Sequence, residues 1–108
     1  MTGTAWLALA IAAEVIATVM LKTTDSFTRP LPSAMVVVGY AAAFYFLSVA
    51  LRTIPIGLAY AIWSGVGMVL VAGLAWIIYD QKLQTSSLFG IGLIILGAMI
   101  LHLQTPET

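Results

Sequence analysis

Four long apolar runs, separated by short polar links, make up nearly the whole chain. They cover residues 4–21, 31–51, 56–79 and 86–103. Each is long enough to span about 30 Å of hydrocarbon as a helix, which needs about 17–25 residues. None shows the strict alternation over about ten residues that is typical of a transmembrane strand. The pattern predicts an all-α integral membrane protein with four transmembrane helices.

The polar links indicate where the helices begin and end. Pro30 and Pro32 suit the first turn of the second helix, where a missing backbone N–H costs nothing. Ser33 and either Ser86 or Ser87 are candidate N-caps. We therefore expect one domain over 1–108 with helices at about 4–21, 33–51, 57–79 and 86–103. The first run is not expected to be a secretory signal, because no positive segment precedes it and a carboxylate lies inside it.

The composition supports the membrane assignment and excludes several functions. Hydrophobic residues make up 62% of the 108 residues and charged residues 7%, whereas a soluble domain is about 25% charged. The chain has no cysteine, which rules out disulfide and thiol chemistry. It also has no nucleotide-binding loop and no cluster with metal-ligand spacing. We expect no enzyme activity, metal, cofactor or nucleic-acid partner, and any activity must occur within the lipid bilayer or at its faces.

One carboxylate, Glu14, interrupts the first run. It lies ten residues after Thr4 and eight before Lys22, so about 15 Å and about 12 Å from the two ends of its helix. An ionised carboxylate at that depth costs roughly 2.5–3.5 kcal/mol on insertion scales. The same helix face carries no basic residue: it holds Leu7, Ala10, Ile11, Ala17, Thr18 and Leu21. The partner of Glu14 must therefore be a proton, a passing cation or a group on another helix.

Aromatic residues at helical spacing offer a surface for such a cation. Tyr60, Trp63 and Ser64 share one face of the third helix, and Tyr40 and Phe44 share a stripe of the second. Aromatic faces attract desolvated cations by about 2 kcal/mol or more. A carboxylate opposite these rings suits a bulky lipophilic cation.

Some aromatic residues have a simpler interpretation as membrane-interface residues. We adopt it for Trp6 and Tyr79, which lie near helix ends, and similarly assign His102 to the headgroup level rather than to a ligand site. Trp63 lies nearer mid-span, where an interface role does not fit.

The glycines predict two further features. Gly65 and Gly67 in the third helix are either close-packing points or a hinge. Gly90 and Gly97 lie two turns apart on one face of the fourth helix, where small residues let helices approach closely in lipid. Because four helices are too few to enclose a wide pathway, we expect a homodimer with its seam at Gly90 and Gly97.

The loop charges set only a weak orientation. With four spans, the first and third links share one side and carry Lys22, Arg29 and Lys82, while the second link carries Arg52 on the other. A chain with so small a bias is expected to insert in both orientations.

Three segments together resemble the small multidrug resistance family of bacterial exporters: "AEVIATVMLK", "SFTRPLPS" and "IPIGLAYAIWSGVG". The likeness covers essentially the whole chain. It implies an antiparallel, dual-topology homodimer in the bacterial inner membrane that exchanges protons for toxic organic cations. It also implies that Glu14 is the shared carboxylate for proton and substrate, that Trp63, Tyr60 and Tyr40 line the pocket, and that Gly90 and Gly97 form the dimer motif.

The family has a drug-exporting and a guanidinium-exporting branch. The guanidinium branch typically carries a Trp shortly after the glutamate, where this chain has Ile16 and Ala17, so the resemblance favours the drug branch. One departure is Thr4, which replaces the tyrosine usual in drug exporters. A guanidinium-type exporter and a non-transporting assembly subunit remain the alternatives. A rotor subunit is disfavoured because Glu14 lies in the first of four helices. A passive channel is disfavoured because it needs several polar residues along one helix face, where the first helix offers only Glu14 and Thr18.

Overall fold

The computed structural model describes residues 1–104, which form four long helices. They are α1 (Gly3–Leu21), α2 (Pro30–Ala50), α3 (Ile56–Tyr79) and α4 (Thr85–Leu103), with a short 3₁₀ turn at Lys22–Thr24 after α1. Each long helix is apolar enough and long enough to cross a membrane. The prediction of an all-helical chain with four membrane spans is confirmed. Residues 105–108 of the expected domain lie outside the described residues.

All four helices begin one to three residues before their expected starts, and the expected N-caps of α2 and α4 are not caps. Helix α2 begins at Pro30, because proline at the first position lacks only an N–H that would have no helical partner. Ser33 therefore lies inside the helix, where its hydroxyl donates to the carbonyl of Arg29 at 2.6 Å. Helix α4 begins at Thr85 after Gln84, so neither Ser86 nor Ser87 is its N-cap.

The helices pack in the order α2, α1, α3, α4. Helix α1 contacts both α2 and α3, whereas α4 packs on α3. The core lies between α1 and α3 and at the α2–α3 link, and consists of Leu7, Ile11, Val15, Ala50, Ile54, Ala59, Ile62 and Trp63. On the other side of α1, Gly39 of α2 lies so close to Ala17 that a Cβ at Gly39 would be 2.9 Å from the Ala17 Cβ. This close approach brings the polar face of α1 next to α2.

The links that follow the C-terminal ends of α1 and α3 contain residues in the left-handed backbone conformation. Asp25, Ser26 and Phe27 have positive φ angles between the 3₁₀ turn and α2. Asp80 ends α3 with φ 55°, and its N–H donates to the carbonyl of Ala75. Asp80 thereby turns the chain sharply, so that the following residues fold back beside α3.

The outward faces of the helices are apolar. Large side chains such as Ile77, at 79% exposed, and Phe89, at 73%, point away from the protein. Helix α4 has no buried residue within the described chain. A surface of this kind is stable only when lipid or another apolar surface covers it.

Candidate functional site

A chamber of about 700 Å³ lies along the inner face of α3, between α1 and the α3–α4 link. Helix α1 contributes the carboxylate and a hydroxyl, α3 contributes aromatic, small and apolar side chains, and the link closes one end. The lining residues are Glu14, Thr18, Tyr60, Trp63, Ser64, Gly67, Met68, Val71, Ala72, Ala75, Gln81, Lys82 and Leu83.

The two carboxylate oxygens of Glu14 have different surroundings. Oε1 accepts a hydrogen bond from the Thr18 hydroxyl, one turn along α1, at 2.9 Å. Oε2 is buried and has no hydrogen-bond partner. It lies against Gly67 of α3, where an added Cβ would be only 2.9 Å away. No cation pairs with Glu14 among residues 1–104, so this second oxygen is buried without a counter-charge.

A hydrogen-bonded chain extends from Glu14 into α2. The Thr18 hydroxyl also contacts the Tyr40 hydroxyl at 2.6 Å. Since Thr18 uses its single hydrogen for Glu14, Tyr40 must be the donor in the second bond. The order is therefore Tyr40 to Thr18 to Glu14, and it holds Thr18 in the orientation that donates to the carboxylate.

The opposite wall is built around Trp63. This side chain is 9% exposed and contacts Phe44 of α2 edge-on, with ring centroids 5.6 Å apart. The ring of Tyr60, one turn earlier on α3, lies 5.4 Å from it. The indole Nε1, which can only donate, is buried without a partner. Two residues that line the chamber, Glu14 and Trp63, thus each carry a buried polar atom without a partner, one an acceptor and the other a donor.

Five of the seven residues expected at the site line the chamber: Glu14, Thr18, Tyr60, Trp63 and Ser64. The other two, Tyr40 and Phe44, lie behind the wall, and each contacts a lining residue. The position of Thr4 is not part of the lining, and nearby Trp6 packs on Phe46 with ring centroids 5.7 Å apart.

Sequence reasoning missed the far half of the chamber. Val71 and Ala75 continue the face of Gly67 at intervals of four residues, so helical spacing was enough to find them. Gln81, Lys82 and Leu83 belong to the link, and they reach the chamber through the left-handed turn at Asp80. No periodic pattern signals that turn.

The glycines lie in different surroundings. Gly65 and Gly67 fall inside an uninterrupted α3, and each is a point of close approach, Gly65 to Ile94 of α4 and Gly67 to Glu14. A Cβ added at Gly90 or Gly97 would meet no atom within 4 Å. That face of α4 is therefore open in the single chain.

The acidic and histidine side chains bear on the expectation that the protein has no metal site. Among residues 1–104 there is no group of three or more His, Cys, Asp or Glu side chains close enough to hold a metal ion. Glu14 is the only acidic side chain in the chamber lining.

Comparison with known proteins decides the family. The family described as Small Multidrug Resistance protein matches residues 3–94. The chain belongs to this family. It is 54% identical to the quaternary ammonium compound-resistance protein QacF of Klebsiella aerogenes over 98 residues, which cover 91% of this chain and 89% of QacF.

Two further relatives support the same family membership. The chain is 48% identical to the quaternary ammonium compound-resistance protein QacE of Escherichia coli, over 95% of this chain and 94% of QacE. It is 43% identical to the multidrug transporter EmrE of Escherichia coli K12, over 92% of this chain and 90% of EmrE. The family resemblance predicted from sequence is confirmed. This member is a multi-pass protein of the bacterial inner membrane and not an enzyme.

Proposed function

We propose that this protein is a proton-coupled antiporter that exports hydrophobic and quaternary organic cations. The observation that carries the proposal is the bare Oε2 of Glu14, buried at the wall of a chamber whose other wall is Trp63. A buried charge without a partner is unstable. Glu14 must therefore hold either a proton or a cationic ligand.

The chamber suits a bulky cation better than a metal ion. Its volume of about 700 Å³ lies within the range of sites for drug-sized ligands. The rings of Tyr60 and Trp63 provide cation–π attraction without requiring a fixed hydrogen-bond pattern. The names of QacE and QacF associate those relatives with quaternary ammonium compounds, which supports the same substrate class here.

Coupling follows from competition for one charge. A proton on Glu14 removes the charge that attracts the organic cation. A bound cation stabilises the ionised carboxylate and so disfavours its protonation. If the chamber opens alternately to the two sides, exclusive occupancy links the two fluxes. Gly65 and Gly67 are the proposed flexing points of α3.

We infer that the working unit is an antiparallel, dual-topology homodimer. Helix α4 buries no residue within the described chain, and its Gly90 and Gly97 face is open, so a second copy is the natural cover. Two copies inserted in opposite orientations give inward-open and outward-open states of nearly the same shape. A reporter fused to the C-terminus is expected on both faces of the membrane, and detection on one face only would exclude dual topology.

The test of the proposal uses the purified protein and ethidium, the compound in the names of several relatives. Adding ethidium to the wild-type protein in detergent is expected to release protons. Glu14→Gln is expected to abolish proton release and proton-driven transport, because a neutral amide neither ionises nor releases a proton. Glu14→Asp keeps the carboxylate and is expected to transport with an altered pH profile.

A panel of cations separates the alternatives. Proton release by quaternary ammonium compounds and ethidium but not by guanidinium supports the drug exporter, and the reverse pattern identifies a guanidinium exporter. No proton release with any cation indicates a non-transporting subunit. Ethidium binding to Glu14→Gln at wild-type affinity would refute the shared site.

A further inference from the structure

A tyrosine outside the predicted site ties the two helices of the chamber together. The hydroxyl of Tyr79, in the last turn of α3, donates to the backbone carbonyl of Val19 at 2.7 Å. Val19 lies in the last turn of α1, where helix carbonyls lack intrahelical partners. The next two carbonyls of that turn accept the hydroxyls of the two threonines that follow the helix, at 2.6 and 2.8 Å. Tyr79 gives α1 the same kind of contact from 60 residues away.

The ring of Tyr79 makes a second contact with the same end of α1. The ammonium of Lys22 lies 5.4 Å from the ring centroid, within the distance for a cation–π interaction. Interpreting Tyr79 as an interface residue explains neither contact, because an interface tyrosine directs its hydroxyl to lipid headgroups. Here the hydroxyl is satisfied inside the protein.

These contacts lie where the chamber meets the α3–α4 link. Ala75, one turn before Tyr79, and residues 81–83, just after it, line the chamber. The buried core joins α1 to α3 through Leu7, Ile11, Val15, Ile62 and Trp63, whereas Val19, Val71 and Leu74, nearer Tyr79, are only partly buried against it. The Tyr79 contacts therefore hold the two helices together at the end where the apolar packing between them is only partly buried.

We propose that Tyr79 is a positioning residue that holds the link end of α3 against α1 and sets how far the chamber opens there. Its effect on access to the chamber does not depend on transport. Its role in export rests on the proposed function: the contact would break and form as the chamber opens alternately to the two faces of the membrane.

Access can be measured directly because the chain contains no cysteine. Ala75→Cys places a nearly isosteric thiol in the chamber wall, and its reaction rate with N-ethylmaleimide reports opening at this end in the full-length protein in nanodiscs. Tyr79→Phe keeps the ring and removes the hydroxyl. Loss of one such hydrogen bond is expected to raise the labelling rate about five-fold.

The controls separate a local effect from general loosening. Tyr45→Phe removes a hydroxyl from an exposed side chain that does not line the chamber, and it is expected to leave the rate at Ala75→Cys unchanged. A thiol at Ala43→Cys, a fully buried position of α2, reports unfolding of the whole bundle. Lys22→Met is expected to raise the Ala75→Cys rate by a smaller factor, because the ring hydroxyl remains in place.

Two results would overturn the proposal. One is equal labelling of Ala75→Cys in the Tyr79→Phe and Tyr45→Phe backgrounds. The other is a parallel rise at Ala43→Cys, which would make Tyr79 a general packing residue.

A transport measurement tests the second part. Tyr79→Phe is expected to change the rate of proton-driven ethidium transport by about the same five-fold factor, with a Kd for ethidium within about two-fold of wild type. An unchanged rate, or a loss of affinity that accounts for the change in rate, would exclude a role in export. If the wild-type protein neither binds ethidium nor releases protons, the proposed function fails, while the labelling result still decides whether Tyr79 controls access.

Discussion

The two carboxylate oxygens of Glu14 differ in their hydrogen bonding. The Thr18 hydroxyl holds Oε1 in place, while Oε2 is buried against Gly67 with no hydrogen-bond partner. Hydrogen bonds to a charged group contribute roughly 1.5–3 kcal/mol each. The first contact fixes the direction of the carboxylate, and the second oxygen is left without a hydrogen bond.

Tyr40, which hydrogen-bonds Thr18 and does not contact Glu14 through a hydrogen bond of its own, provides a test of this arrangement. Tyr40→Phe is expected to weaken ethidium binding about two- to ten-fold, because a lost neutral hydrogen bond costs about 0.5–1.5 kcal/mol and Thr18 is then free to turn away from Glu14. Fluorescence titration at fixed pH measures the Kd. Tyr45→Phe, a change to an exposed tyrosine of the same helix, serves as the matched control. Equal affinities for the two variants would show that the chain from Tyr40 does not matter for binding.

Helix α3 carries most of the chamber, and its glycines serve different contacts. Gly67 admits the Glu14 carboxylate and Gly65 admits Ile94, whereas a Cβ at Gly73 would meet no atom within 4 Å. A Cβ at Gly67 would displace the Glu14 carboxylate, and one at Gly65 would lie 3.3 Å from the Ile94 side chain, so both neighbours favour glycine. Gly73 has no such neighbour within the single chain.

The pair Gly67 and Gly73 separates steric fit from helix stiffness. Gly67→Ala places a Cβ against Oε2 and forces the carboxylate to move, so ethidium affinity is expected to fall about ten-fold, as overpacking typically costs about 1–3 kcal/mol. Gly73→Ala stiffens the same helix, with a gain of up to about 1 kcal/mol in helix propensity, and is expected to leave the Kd unchanged. Similar effects of both variants on the Kd would indicate that flexibility of α3, and not space for Glu14, is the property that matters.

The single chain is a thin body, 41 × 34 × 18 Å, with α4 packed along α3 at its edge. Its apolar core lies between α1 and α3, and the chamber is bordered by two helices and a link. Such a chain cannot surround a bulky ligand. A second copy would both cover α4 and complete the walls of the chamber.

The proposed seam on α4 has a matched control on the same helix. Gly97→Leu is expected to weaken the dimer by about 1–3 kcal/mol, because a large side chain prevents close helix approach. Gly92→Leu changes an equally unobstructed position about 200° around the helix from Gly90, and is expected to leave the dimer intact. Energy transfer between labelled subunits, measured while lipid is added to dilute them, gives the dissociation constant. A seam elsewhere would be indicated if Gly92→Leu were the more disruptive change.

Hydrophobic pattern alone was enough to define the four spans and to place Glu14 inside the first of them, because the length of an apolar run and the rise of a helix are local properties. The period of 3.6 residues likewise placed Tyr60, Trp63 and Ser64 on one face, and all three line the chamber. The start of α2 at Pro30 and the N-cap of α4 were less well predicted, because a serine near a helix start can lie inside the first turn as well as cap it.

Contacts between helices were decided by tertiary structure. The order Tyr40 to Thr18 to Glu14 depends on the close approach of α1 and α2 at Gly39, and the contact of Tyr79 with Val19 joins residues 60 positions apart. Residues 81–83 reach the chamber only because Asp80 adopts a left-handed conformation. Sequence period specifies which residues share a face of one helix, but only packing specifies which atoms of the next helix that face will meet.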